Sequence, residues 1–156
     1  MIIVLFQYFQ YYNTEMHFEV FNTSSISSIE NVEERNTTGD TPLLSLTQEL
    51  LRQIALAISE DNIYFAIDEY IGNVDTLIHK KVNLDIQDKH FRTPLILLAK
   101  NRYTLKAIRF LCEAGASTFY ISGAGWDAID EALYYGNMEI VRYLREVVAN
   151  LVIPTA

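Results

Sequence analysis

The sequence predicts an all-α solenoid of about three helix-turn-helix repeats with a helical N-terminal cap. Three observations predict it. The first is internal repetition. Ile108, Arg109, Phe110 and Leu111 align with Val141, Arg142, Tyr143 and Leu144 at an offset of 33 residues, and Thr93 aligns with Asp127 at 34. One extra residue near Arg102 accounts for the difference, and a period of this length is the mark of stacked repeats. The second is the pair Thr93-Pro94, in which threonine caps a helix and proline fills its first turn, where no N–H is needed. The third is the helical spacing of apolar residues in each unit, in place of strand alternation.

Along the chain, residues 1–21 form an apolar N-terminal arm opening MIIVLFQYFQYY. Its uninterrupted apolar run ends at Phe6, too short to span a bilayer, and no basic residue precedes it as a signal peptide requires. Met16, Phe18 and Val20 alternate with polar residues, which is strand periodicity. Residues 22–40, rich in Ser, Thr and Asn, read as a polar linker. Residues 41–154 form the repeat domain. Thr41-Pro42 starts a helix whose apolar positions include Leu43, Leu46, Leu50 and Ile54. Thr41 lies 52 residues before Thr93, no multiple of the period, so this helix is expected to cap the solenoid. A divergent repeat should follow, its inner helix around Ile63, Ala66 and Ile67 and its outer helix around Ile71, Val74 and Leu77. Val82–Asp88 reads as an extended connector. The units Asp88–Gly115 and Gly125–Leu144 come next, and Val147, Val148, Leu151 and Val152 prolong the last helix up to Pro154, which stops it.

The segments Asp88–Ala116 and Gly125–Leu144, with Thr93-Pro94-Leu95 opening a helix, resemble the ankyrin repeat family. Two departures stand out. Phe91 occupies a turn position that the family usually gives to Gly, where φ > 0 is favoured. Asp127 and Ala128 replace the usual Thr-Pro, a milder change because Asp also caps well. The resemblance implies a non-catalytic module that binds another protein through its turn tips and the exposed side of its inner helices. On this sequence that surface maps to Lys89, His90, Arg92, Lys100 and Asn101 in one unit and to Ala124, Trp126, Tyr134 and Tyr135 in the next. Trp, Tyr and Arg are the residue types enriched in interface hot spots. Trp126 and one tyrosine could equally pack under neighbouring turns.

Residue chemistry points the same way. His17, His79 and His90 share no metal-ligand spacing with one another or with Cys112, and no cofactor motif is present. Cys112 is the single cysteine, so no intrachain disulfide forms, which fits a reducing, cytoplasmic setting. Asp127, Asp130 and Glu131 share a helix face and read as a cap plus solvated acids. Net charge is −8. Residues 1–40 hold six acids and one base, residues 41–87 seven and three, and residues 88–156 seven and eight. The acidic excess argues against nucleic acid or an anionic membrane as partner, while the bases of Lys89–Arg109 suit a partner with an acidic patch. Three alternatives stand beside the binding module: an immunity or inhibitor protein against a toxin or enzyme, a small enzyme or ligand-binding domain using the N-terminal arm, and an assembly protein whose copies associate through that arm.

Overall fold

The computed structural model describes residues 23–152, in which six α-helices stand in two rows. These are α1 (Pro42–Leu56), α2 (Glu60–His79), α3 (Pro94–Leu98), α4 (Leu105–Glu113), α5 (Ala128–Tyr134) and α6 (Met138–Val152). The hairpins α1/α2, α3/α4 and α5/α6 each pair an inner with an outer helix. Neighbouring inner helices pack α1–α3–α5, and neighbouring outer helices pack α2–α4–α6. Leu43, Leu50, Leu95 and Leu98 meet Ile67, Val74, Leu77, Ile108 and Leu111 in one buried core, and Ala132, Ile140, Val141 and Leu144 continue it through the last repeat. No strand occurs among the described residues, and none of their helices is long and apolar enough to cross a membrane. The N-terminal arm, with the alternation at 16–20, lies outside the described residues.

Two local motifs recur and define the repeat. The first is the helix exit. Lys81 N–H donates to Ile78 O and Val82 N–H to Leu77 O; Gly115 and Ala116 do the same to Cys112 and Leu111, and Gly136 and Asn137 to Leu133 and Ala132. This bond pair closes a helix around a left-handed residue. Lys81 (φ 62°), Gly115 (φ 103°) and Gly136 (φ 70°) occupy that position. The second motif is the turn before each inner helix. Asp88 N–H donates to Arg92 O and Phe91 N–H to Asp88 O, as Ser122 does to Trp126 and Gly125 to Ser122. Phe91 takes the left-handed conformation (φ 59°) that Gly125 takes (φ 82°), so the turn keeps its geometry despite the bulky residue.

The same turn appears a third time, at 36–40, where Asn36 N–H donates to Asp40 O and left-handed Gly39 donates to Asn36 O. It leads through Thr41 into α1, which therefore closes the N-terminal end of the solenoid and is also the inner helix of an enlarged first repeat. The expected division of 63–78 into an inner and an outer helix is replaced by one continuous 20-residue helix, α2. Turn to turn, repeats one and two are 52 residues apart, whereas their helix exits at Lys81 and Gly115 are 34 apart. The surplus lengthens α1 and α2 beyond their neighbours. The longer hairpin is sealed by its own packing, with the Tyr70 hydroxyl 3.0 Å from Thr47 Oγ1.

The stretch read as a polar linker does more than connect. Thr23–Ser28 is a 3-10 helix against α2, and Ile26 and Val32 are buried in the core. Lys80 Nζ donates to the carbonyls of Ser27 and Ile29, and Asn83 N–H donates to Glu33 Oε1. Two isolated apolar residues in a Ser-rich stretch carry no period, so the burial is invisible to pattern reading.

Two stability measurements follow. Gly72 lies in the interior of α2 with open space around its Cα, so Gly72→Ala should raise stability by about 0.5–1 kcal/mol in urea unfolding; a loss would mean that the helix breaks there. Leu95 is 1% exposed, and Leu95→Ala should cost about 2–5 kcal/mol. An unchanged midpoint would remove it from the core.

Candidate functional site

The residues picked out by sequence lie in the turns and at the helix ends of repeats two and three, in different states of engagement. Trp126 is half-buried and its ring centroid lies 5.0 Å from that of Tyr134, whose ring in turn meets Tyr135 edge-on at 5.2 Å. Tyr134 and Tyr135 remain 69% and 51% exposed. The three rings form a connected cluster that rests partly on the turn and partly in solvent. Trp126 is held by its backbone, since its carbonyl accepts the turn's Ser122 N–H. Tyr134 and Tyr135 follow at the end of α5, where the helix exit at Gly136 fixes their positions.

The basic half divides. Lys89 and His90 are exposed at the turn tip, and the described residues offer Lys89 no ion pair. Arg92 is committed to the turn itself. Its Nε and Nη2 reach Asp88 Oδ2 at 2.9 and 2.7 Å. Asp88 also accepts the backbone N–H groups of His90 and Arg92. Burial alone would raise the Asp88 carboxyl; the Arg92 guanidinium and these backbone donors outweigh it and hold the group below its ordinary value. Asn101 caps the short turn before α4 by accepting Tyr103 N–H.

Lys100, at the end of α3, lies 3.8 Å from Glu131 Oε1 on α5. Glu131 is buried, at 6% exposed, and is not the solvated acid expected from its helix face. Stacking places it between the inner helices, at the position that Leu97 fills one repeat earlier. Asp127 and Asp130, by contrast, form a reciprocal capping box. Ala124 is exposed beside Gly123, whose N–H donates to His90 O and so ties the second turn to the third. Phe91, singled out by sequence for its turn position, is 60% exposed, and Phe119 and Ile121, which sequence reasoning passed over, are 60% and 57% exposed.

No group of three or more His, Cys, Asp or Glu side chains able to hold a metal occurs among the described residues. The Cys112 thiol is pushed up to about 11 by burial, the opposite of what a nucleophilic thiolate needs.

This geometry, with three matching turns and three matching helix exits on paired helices, is that of a repeat family. A family model for ankyrin repeats, with three copies, covers residues 63–153. The chain belongs to the ankyrin repeat family. No curated protein sequence matches it. Ankyrin repeats are generally protein–protein interaction modules and generally non-catalytic. In this ankyrin protein the first repeat starts before the matched segment, at the 36–40 turn, because its long helices put Thr41 out of period.

The Asp88 network gives a pH prediction. Its folded pKa lies below the unfolded value of about 3.9, so its contribution is present above that pH and is lost as pH falls through the folded pKa. At neutral pH Asp88→Asn should cost about 2 kcal/mol, the scale of a charge-assisted bond. The gap between variant and parent should narrow in acid; a constant gap would mean that charge plays no part.

Proposed function

We propose that this ankyrin protein acts as a non-catalytic adaptor that binds a protein partner on the concave side of repeats two and three. The observation that carries the reading is the Trp126–Tyr134–Tyr135 cluster, a connected aromatic surface that leaves Tyr134 69% exposed. Amphipathic rings held by backbone and by each other lose little conformational freedom on binding, which makes them effective anchors. Lys89 and His90, beside them on the neighbouring turn, give the rim a basic character suited to an acidic patch. Arg92, Lys100 and Asn101 shape this surface from behind by fixing the turn and the helix ends. A reducing compartment such as the cytoplasm suits the lone thiol of Cys112.

The test is capture of the partner on immobilised protein, identification by mass spectrometry, and affinity measurement with purified components. Tyr135→Ala should weaken binding by more than about 1 kcal/mol, as a hot-spot truncation does. Lys89→Glu should act chiefly on the association rate and its salt dependence. Lys100→Glu is the poorer probe, because reversal would set a second carboxylate beside buried Glu131 and destabilise the fold. Both chosen variants should keep the parent's circular dichroism. Parental affinity in a folded Tyr135→Ala would move the interface off this face.

A further inference from the structure

The outer side of the solenoid carries one trough twice. The first lies between α4 and α6 and is lined by Leu105 and Arg109 on one side and by Glu139, Arg142, Tyr143 and Glu146 on the other. Here the Arg109 guanidinium sits 4.4 Å from the centroid of the Tyr143 ring, and Cys112 lies near the same side chain. This is one contact between the outer helices of successive repeats, beside the buried core that Ile108, Leu111, Ile140, Val141 and Leu144 share. The second trough lies on α6 and is lined by Met138, Val141, Arg142, Arg145, Glu146 and Ala149. Subtracting the 33-residue offset turns this list into Leu105, Ile108, Arg109, Cys112, Glu113 and Ala116. That is the face of α4 on which α6 rests. Among the described residues, helix α6 therefore presents the docking face that α4 presents to α6.

The residues on it are ready for a partner. Met138 is 55% exposed where Leu105 is half-buried. Arg142 stands where Arg109 stands, without a ring beneath it among the described residues. Neither Arg142 nor Arg145 has an ion pair or side-chain hydrogen bond among the described residues. Arg145 replaces Cys112, and so faces the place where the polar end of a docked ring would lie.

The chemistry selects the occupant. On the inner half of this end, Asp130 replaces Ile96, which is 1% exposed, and an exposed acid held in a capping box opposes burial by a whole further repeat. A single helix laid along α6 avoids it. Two arginines against one glutamate favour acids on that helix, and Arg142 favours an aromatic ring. A second copy fits poorly. Its N-terminal end is covered by residues 26–34, with Ile26 and Val32 buried. Two-fold pairing about the middle of the trough would set Arg142 opposite Arg145 of the other copy. We infer that the C-terminal face of α6 is a second docking surface, which takes an acidic amphipathic α-helix with an aromatic side chain seated on Arg142.

The probe is a labelled peptide copying residues 138–152, made acidic by Arg142→Glu and Arg145→Glu within the peptide and keeping its Tyr143. Titrated with the full chain, it should bind saturably. Arg142→Ala in the protein, or Tyr143→Ser in the peptide, should weaken binding by about fivefold or more. Met138→Lys should abolish it, and Tyr135→Ala on the concave side should leave it unchanged. Arg142 and Met138 are exposed, and circular dichroism should confirm that both variants fold. Absence of saturable binding, or binding indifferent to Arg142→Ala and Met138→Lys, would overturn the inference. So would a dimer of the parent chain in sedimentation that Met138→Lys dissociates, since the face would then belong to a second copy.

Discussion

The inner helices of repeats two and three cannot stand alone. Helix α3 has five residues and α5 seven, far below the length at which a helix persists in water. Every residue of α3 is buried, so what keeps it helical is burial against α1 and α5 on either side and α4 behind. The whole protein rests on this mutual dependence of neighbours. It explains why the first repeat is the large one. Helices α1 and α2 have 15 and 20 residues, bury each other along a long seam, and offer the short repeats a formed surface to dock on. It also explains the folded-back stretch at 23–40, which shelters the open side of that first hairpin.

Stacking requires that each turn and each exit be the same shape, and the chain meets that requirement with different residues. Asn36 and Asp88 accept the backbone N–H groups of their turns in the same way. Gly39, Phe91 and Gly125 share one left-handed conformation. Phe91 takes it at a steric cost that glycine would not have. A Cβ on Gly123 would come within 3.3 Å of the His90 carbonyl oxygen, with the Phe91 ring next at 3.5 Å, so glycine lets the third turn lie close against the backbone of the second.

The charged residues follow from the same geometry. Basic side chains that looked alike in sequence separate once the repeats stack. Arg92 turns back to Asp88, Lys100 reaches across to Glu131, and Lys89 points to solvent. The aromatic cluster exists because Tyr134 and Tyr135 at the end of α5 and Trp126 in the turn before it converge on one side, with tilted and edge-on ring contacts. The outer face of α6 keeps its arginines unpaired because no helix follows it there among the described residues.

Much of this was legible in the sequence. The 33–34 residue spacing, Thr93-Pro94, the Asp127 cap, the left-handed Gly115 and the placing of Trp126, Tyr134 and Tyr135 on one unit all follow from local rules that act within a few residues. What the sequence did not reveal depended on distant partners. The kinship of the turn at 36–40 with that at 88–92 was hidden because extra residues in α1 and α2 broke the period between them. The burial of Ile26 and Val32 needed a surface that later helices supply from far along the chain. Glu131 read as solvated because its neighbour, Lys100, belongs to another helix. Local sequence determined which segments turn, cap and coil; only stacking, which brings remote side chains within reach of one another, decided which charges are spent inside the fold and which remain to meet a partner.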